Sequence, residues 1–279
     1  MKRVLILFLA VALLMSGCKK ENYVENSITM TTVKSGEVVF YMEGSGSVTI
    51  DWGDGSEIET HTLSAYDDYY PSDLYRHTYN ETTDRTITIT GGNITHLDCA
   101  DNQLTNLDVS DYTTLVELFC HDNQLINLNV SGCTALINLY CYNNRLTNLN
   151  LRDCKELVNF ACSSNKITSL EIRDCTMLYY LECSNNRITS LNVEGCIALV
   201  QFYCNSNQIS KLDVSDCIDL WFFGCDFNNL TFSELNALFG TLFSLLPITT
   251  NQVVSIRGNP GTDDCDRSIA ERKGWKVID

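Results

Sequence analysis

Proline is nearly absent. The 279 residues include only Pro71, Pro247 and Pro260, which excludes a proline-rich stalk or a collagen-like rod. Basic residues are scarce too: 19 Lys and Arg stand against 35 Asp and Glu, a net charge of -16. Phosphate backbones are bound by clustered Lys and Arg, so no nucleic-acid partner is expected. Histidine occurs only at His61, His77, His96 and His121. No GxSxG, HExxH or phosphate-loop pattern is present, so neither an enzymatic activity nor a cofactor is expected. The N-terminal apolar run, Val4 to Met15, has twelve residues, too few for the roughly 20 that span a bilayer. What the chain does have is a folded protein's apolar share, 44%, and 14 cysteines.

Lys2 and Arg3 followed by that apolar run have the form of a signal peptide, expected to occupy residues 1–17. It ends in Leu14-Met15-Ser16-Gly17-Cys18, which resembles the lipobox of bacterial lipoproteins. The resemblance implies an exported chain lipidated at Cys18 and held at the outer membrane or cell surface by its lipid alone, with residues 18–25 as a linker. Removing Lys2 and Arg3 leaves 17 basic and 35 acidic residues, a net charge of -18. Lys19-Lys20-Glu21 resembles a short surface-export signal of some Gram-negative lipoproteins.

From Ile94 a unit of 21 residues repeats in phase, seven times over residues 94–240. ITHLDCADNQLTNLDVSDYTT is followed by LVELFCHDNQLINLNVSGCTA from Leu115, and the seventh copy opens as LWFFGCDFNNL from Leu220 before diverging. The shared pattern, LxxLxCxxNxLxxLxVxxC, resembles the short bacterial class of leucine-rich repeats. Each LxC stretch alternates with a period of two, as a half-buried strand does. One unit cannot bury its apolar face alone, whereas stacked units bury a continuous one. The expected fold is a β-rich α/β solenoid with a parallel concave sheet and an extended or turn-like back.

Asn102, Asn123, Asn144, Asn165, Asn186, Asn207 and Asn228 form one column, in which each amide can donate and accept within the stack. Cys99, Cys120, Cys141, Cys162, Cys183, Cys204 and Cys225 form a second, and Cys133, Cys154, Cys175, Cys196 and Cys217 a third. In-register parallel strands hold Cβ atoms about 4.8 Å apart, beyond disulfide spacing. Free thiols packed as small hydrophobes are therefore expected.

The ends differ from the repeats. Residues 26–93 read as hairpins, and Asp51-Trp52-Gly53-Asp54-Gly55-Ser56 with His77-Thr78-Tyr79 resembles a PKD-type β-sandwich module. Asp51 and Asp54 read as turn residues in preference to a calcium site. Residues 241–279 are expected to cap the other end. An amphipathic helix expected over Phe232–Leu246, with Thr231 or Ser233 as N-cap, leads into them. Val254–Asn259 revives the frame as an eighth, enlarged rung, Asp264–Lys273 looks helical, and Trp275–Ile278 is a closing strand whose Val277 lies 21 residues after Ile256.

The outward strand positions carry Phe119, Tyr140, Tyr142, Tyr180, Glu182, Tyr203 and Phe222, the candidate ligand-binding residues. Exposed aromatics on a regular sheet suit protein hot spots or sugar stacking, although aromatics also favour strands for their own sake. Glu117, Glu182 and Asp226 would favour a neutral or basic ligand. His96, Asp98, Glu117, His121 and Asp122 cluster near the first rungs, a weaker candidate for a metal than for a solvated polar face. The resemblance implies non-enzymatic protein recognition or adhesion by a monomer through the concave face. A glycan-binding lipoprotein of a nutrient-capture system and a structural envelope protein are the alternatives.

Overall fold

The structure, a computed structural model, describes residues 27–65, 73–244 and 252–279. Cys18, with the leader and linker, lies outside the described residues, as do residues 66–72 of the N-terminal cap. No helix among the described residues is long and apolar enough to cross a membrane.

Five strands precede the repeats: β1 (Ser27–Thr32), β2 (Gly36–Asp51), β3 (Glu59–Thr62), β4 (Asp73–Tyr79) and β5 (Arg85–Asp98). They pack on Phe40, Trp52, Ile87 and Ile89, all buried. The Tyr79 hydroxyl donates to the Trp52 carbonyl at 2.6 Å, and the His77 ring stacks on the indole at 4.9 Å. β5 is continuous through residue 94, so cap and first rung share one strand.

Each rung then contributes a short concave strand. These are β7 (Glu117–Phe119), β9 (Asn138–Tyr140), β10 (Asn159–Ala161), β12 (Tyr180–Glu182), β14 (Gln201–Tyr203) and β15 (Phe222–Gly224). The parallel register is the 21-residue repeat itself: Leu97 faces Leu118, then Leu139, Phe160, Leu181, Phe202 and Phe223. The opposite side carries β6 (Leu104–Asp108), β8 (Asn127–Asn129), β11 (Ser169–Glu171) and β13 (Ser190–Asn192), paired β6 with β8 and β11 with β13.

A solenoid's terminal strands expose unpaired backbone groups and invite other chains. Here β2 runs antiparallel along the concave end of β5, while β1 pairs with both β5 and β6. One cap therefore covers the first rung on both faces, and its strands join the concave strands in a single 15-stranded sheet.

The Asn column is built as a hydrogen-bonding spine. The Asn165 amide nitrogen donates to the carbonyls of Cys141 (2.9 Å), Cys162 (3.1 Å) and Ser163 (3.3 Å), and its Oδ1 accepts Leu146 N at 2.9 Å. It thus ties its own rung to the preceding one. The residue before each column Asn has φ between 51 and 56°. Asp, Asn and Ser, which tolerate this left-handed turn, occupy that position in the first six rungs. Asn102 reaches out of the solenoid instead and accepts Val39 N of β2 at 2.9 Å.

All twelve cysteines of the two columns are buried and free, and Cys265 is free and partly buried. Seven of the twelve thiols bond backbone carbonyls. Cys133 donates to Val109 O at 3.1 Å in the preceding rung, and Cys225 donates to Ser255 O at 3.3 Å in the following one.

The C-terminal end departs from the sequence expectation in three ways. α1 (Phe232–Thr241) is capped by Thr231, whose hydroxyl accepts Glu234 N, and it stops at Leu242, where the backbone turns extended. Residues 245 and 246 of the expected helix lie outside the described residues. α2 is only Ser268–Glu271, because residues 261–264 are spent in turns. β16 (Val253–Ser255) and β17 (Lys276–Ile278) extend the sheet, but Val277 pairs with Val254, not Ile256. The turn at Gly258–Thr262 and α2 change the loop length, so the 21-residue count no longer sets the register. Asn259 does continue the column, donating to Cys225 O at 2.9 Å and accepting Leu230 N at 3.1 Å.

Candidate ligand-binding face

In each concave strand the central residue is buried against the core and its neighbours face outward, because successive side chains alternate across a sheet. Parallel in-register pairing then stacks equivalent positions of successive rungs about 4.8 Å apart. Phe119, Tyr140, Tyr142, Tyr180, Glu182, Tyr203 and Phe222 all lie on this face, partly exposed.

The stacking makes two blocks of rings. Towards the N-terminal end, Phe119 and Tyr140 stack with centroids 5.1 Å apart, and His121 lies nearly parallel on Tyr142 at 4.4 Å. Towards the other end, Tyr180 meets Tyr203 at 5.9 Å, and Tyr203 stacks on Phe222 at 4.9 Å. Between the blocks runs the rung of Asn159, Ala161 and Ser163, which carries no ring. The gap is a groove of about 520 Å³ lined by Tyr140, Tyr142, Asn159, Ala161, Ser163, Tyr179, Tyr180, Glu182 and Gln201. No Lys or Arg lines it.

Polar groups of the groove are arranged along the same columns. Glu117 Oε1 accepts the Asn138 amide at 2.6 Å, and Asn138 Oδ1 accepts that of Asn159 at 2.8 Å. Glu182 Oε1 accepts Ser184 N at 2.9 Å. Burial raises the Glu182 carboxyl above its ordinary value, against the lowering effect of the Ser184 bonds. Burial likewise pushes the Tyr180 hydroxyl up to about 12, with the Glu182 charge as a second cause.

The His and acid residues at the first rungs do not gather. His121 Nδ1 pairs with Asp122 at 2.8 Å, His96 lies 3.8 Å from Glu117, and Asp98 accepts the Ala100 amide in its own turn. No group of three or more metal-ligating side chains occurs among the described residues. Asp51 accepts Gly53 N, and Asp54 accepts Ser56 N while pairing with His77 at 2.7 Å. These bonds depress the Asp54 carboxyl well below the usual range, Ser56 contributing most.

One feature of the face lay outside the sequence reading. The second residue of units two to seven is apolar: Val116, Ile137, Val158, Tyr179, Val200 and Trp221. Their backbones bond rung to rung, as in Ile137 N to Val116 O and Trp221 N to Val200 O, both about 2.8–2.9 Å. Ile137, Tyr179 and Trp221 are exposed, the last by 51%. They form an apolar ridge along one rim of the aromatic face. The signal was an apolar residue at one fixed position in six consecutive units, which the pattern of buried leucines overshadowed.

No protein-family model matches the chain, and no curated protein matches it. Solved structures do. Internalin C2 of Listeria monocytogenes str. 4b F2365 matches with a TM-score of 0.51 and 19% identity, covering 72% of this chain and 87% of that one. A Shigella effector leucine-rich repeat domain matches at 0.50 and 18% identity, covering 66% and 80%. The functional domain of InlJ from Listeria monocytogenes, described as including a cysteine ladder, matches at only 0.34 with 21% identity. The chain spans 63% of that domain's length. With the parallel register and the stacked Asn column, the likenesses to internalin C2 and the Shigella domain establish the fold as a leucine-rich repeat solenoid closed by a cap at each end.

Proposed function

We infer that this chain is a non-enzymatic recognition protein, exported and lipid-anchored at Cys18, that binds another protein through its concave face as a monomer. The observation that carries this reading is the pair of stacked ring blocks around the groove. Rings already packed against one another on a hydrogen-bonded sheet lose little rotamer freedom on binding, so contact area translates into affinity. The apolar ridge beside them enlarges the same surface, as fits a macromolecular partner better than a small one. On this reading the cap is a shortened PKD-like module fused to the solenoid, spacing the concave face from the outer membrane or cell surface.

The test is a Tyr140→Ala/Tyr203→Ala double variant, compared with the native chain in capture of surface proteins and on a glycan array. Protein binding should weaken at least tenfold, about 1.4 kcal/mol, with the melting curve nearly unchanged. Retention of an oligosaccharide in place of a protein would establish the glycan-binding alternative. Native affinity in the double variant would place the site elsewhere, and no ligand of either kind would favour a structural envelope protein.

A further inference from the structure

The groove is more specific than an aromatic face requires. Outward column five reads Phe119, Tyr140, Ala161, Glu182, Tyr203 along the stack. Tyr140 and Glu182 are two strands apart, about 9.6 Å, with only the Ala161 methyl between them. Rings stacked within one outward column sit 4.4–5.1 Å apart. The missing ring at Ala161 therefore leaves a slot one flat group thick, walled by a phenol face on one side and a carboxylate on the other.

The polar atoms at this slot meet no charged donor. Two neutral donors reach the Glu182 carboxylate, Ser184 N at Oε1 and the Ser184 hydroxyl. Asn159 has given its amide nitrogen to Asn138, which leaves its Oδ1 as an open acceptor. No cationic side chain lines the groove, and the whole chain carries a net charge of -16. A half-buried carboxylate raised by desolvation is the group that gains most from an arriving cation.

We propose that the Ala161 slot receives an arginine side chain of the partner protein. Its guanidinium lies flat on the Tyr140 ring and directs its N–H groups to Glu182 and Asn159 Oδ1. This deepens the protein-recognition reading and rests on it. Arginine fits where lysine does not: the guanidinium is planar, stacks on aromatic faces and offers a fork of donors, whereas an ammonium is a hydrated point charge. The acceptors of the slot match that fork.

The test uses the full chain with labelled alanine methyl groups. It is titrated with N-acetyl-argininamide, its neutral isostere N-acetyl-citrullinamide, and cellobiose, while the Ala161 methyl signal is read. Argininamide should give a saturable shift, at least tenfold weaker for the citrulline isostere and in Glu182→Gln. Ala161→Phe fills the slot and removes that reporter, so argininamide binding to it is read by saturation transfer to the ligand and should be lost, while unchanged alanine methyl signals elsewhere confirm folding. No saturable shift with argininamide, equal binding of citrulline, an undiminished response in Glu182→Gln, or saturation by cellobiose alone would each overturn the proposal. Capture of a protein partner separates this from the broader reading. Loss in Tyr140→Ala/Tyr203→Ala with retention in Glu182→Gln and Ala161→Phe refutes the slot and keeps the face; retention in all of them refutes both.

Discussion

Raising the pH from 8 to 10 is expected to unfold this chain in one cooperative step, because its cysteine columns cannot ionise while buried. Burial is the largest cause of the shift at every one of these thiols. It pushes Cys133 up to about 11, and Cys141, Cys154, Cys196 and Cys217 up to about 12. Cys99, Cys120, Cys162, Cys183, Cys204 and Cys225 move further in the same direction. An exposed thiol titrates near 9.0. Above that pH the unfolded chain sheds protons that the folded chain keeps, so stability is full below 9 and falls as the pH rises. Each such thiol costs RT ln(1 + 10^(pH − 9)), about 0.4 kcal/mol at pH 9, 0.8 at pH 9.5 and 1.4 at pH 10. For the eleven thiols named, the total is about 5, 9 and 16 kcal/mol at those three values. Domains are usually stable by roughly 5–15 kcal/mol, so the fold should fail inside this window. The assay follows far-UV circular dichroism and thiolate absorbance together, without oxygen and with a phosphine reductant. Both should change with one midpoint. Thiolate absorbance that rises while the dichroism holds would refute the burial argument, as would a chain still folded with protonated thiols at pH 10.

Two further outcomes are expected. Asn165→Ala should cost roughly 1–3 kcal/mol in urea melts, since it strands the Leu146 amide and three carbonyl contacts inside the stack; Asn159→Ala, on the partly exposed concave face, should cost under about 0.5 kcal/mol, and equal costs would contradict the register. Cys18→Ala should release the chain from the membrane fraction or leave an uncleaved precursor, and a correctly cleaved variant that stays with the membrane would rule out the lipid anchor.

The sequence alone determined the stack. A 21-residue period makes each rung's neighbour the next copy of itself, so one alternating LxC stretch assigns every inward leucine, cysteine and asparagine at once. Asn259 was legible for the same reason, one enlarged rung beyond the repeats. The outward positions were legible too, which is how Tyr140, Tyr180 and Tyr203 could be placed on one face before any coordinates. Where the period ends, so does that power: Val277 pairs with Val254 because a turn and a short helix alter the loop, and no local pattern encodes that length. The cap needed the tertiary structure as well, since β1 pairs with both β5 and β6, contacts between segments that share no repeat. The groove also belongs to the fold. Ala161 is an unremarkable small residue in the chain, and it becomes a slot only because hydrogen bonding sets a tyrosine ring on one side of it and a carboxylate on the other.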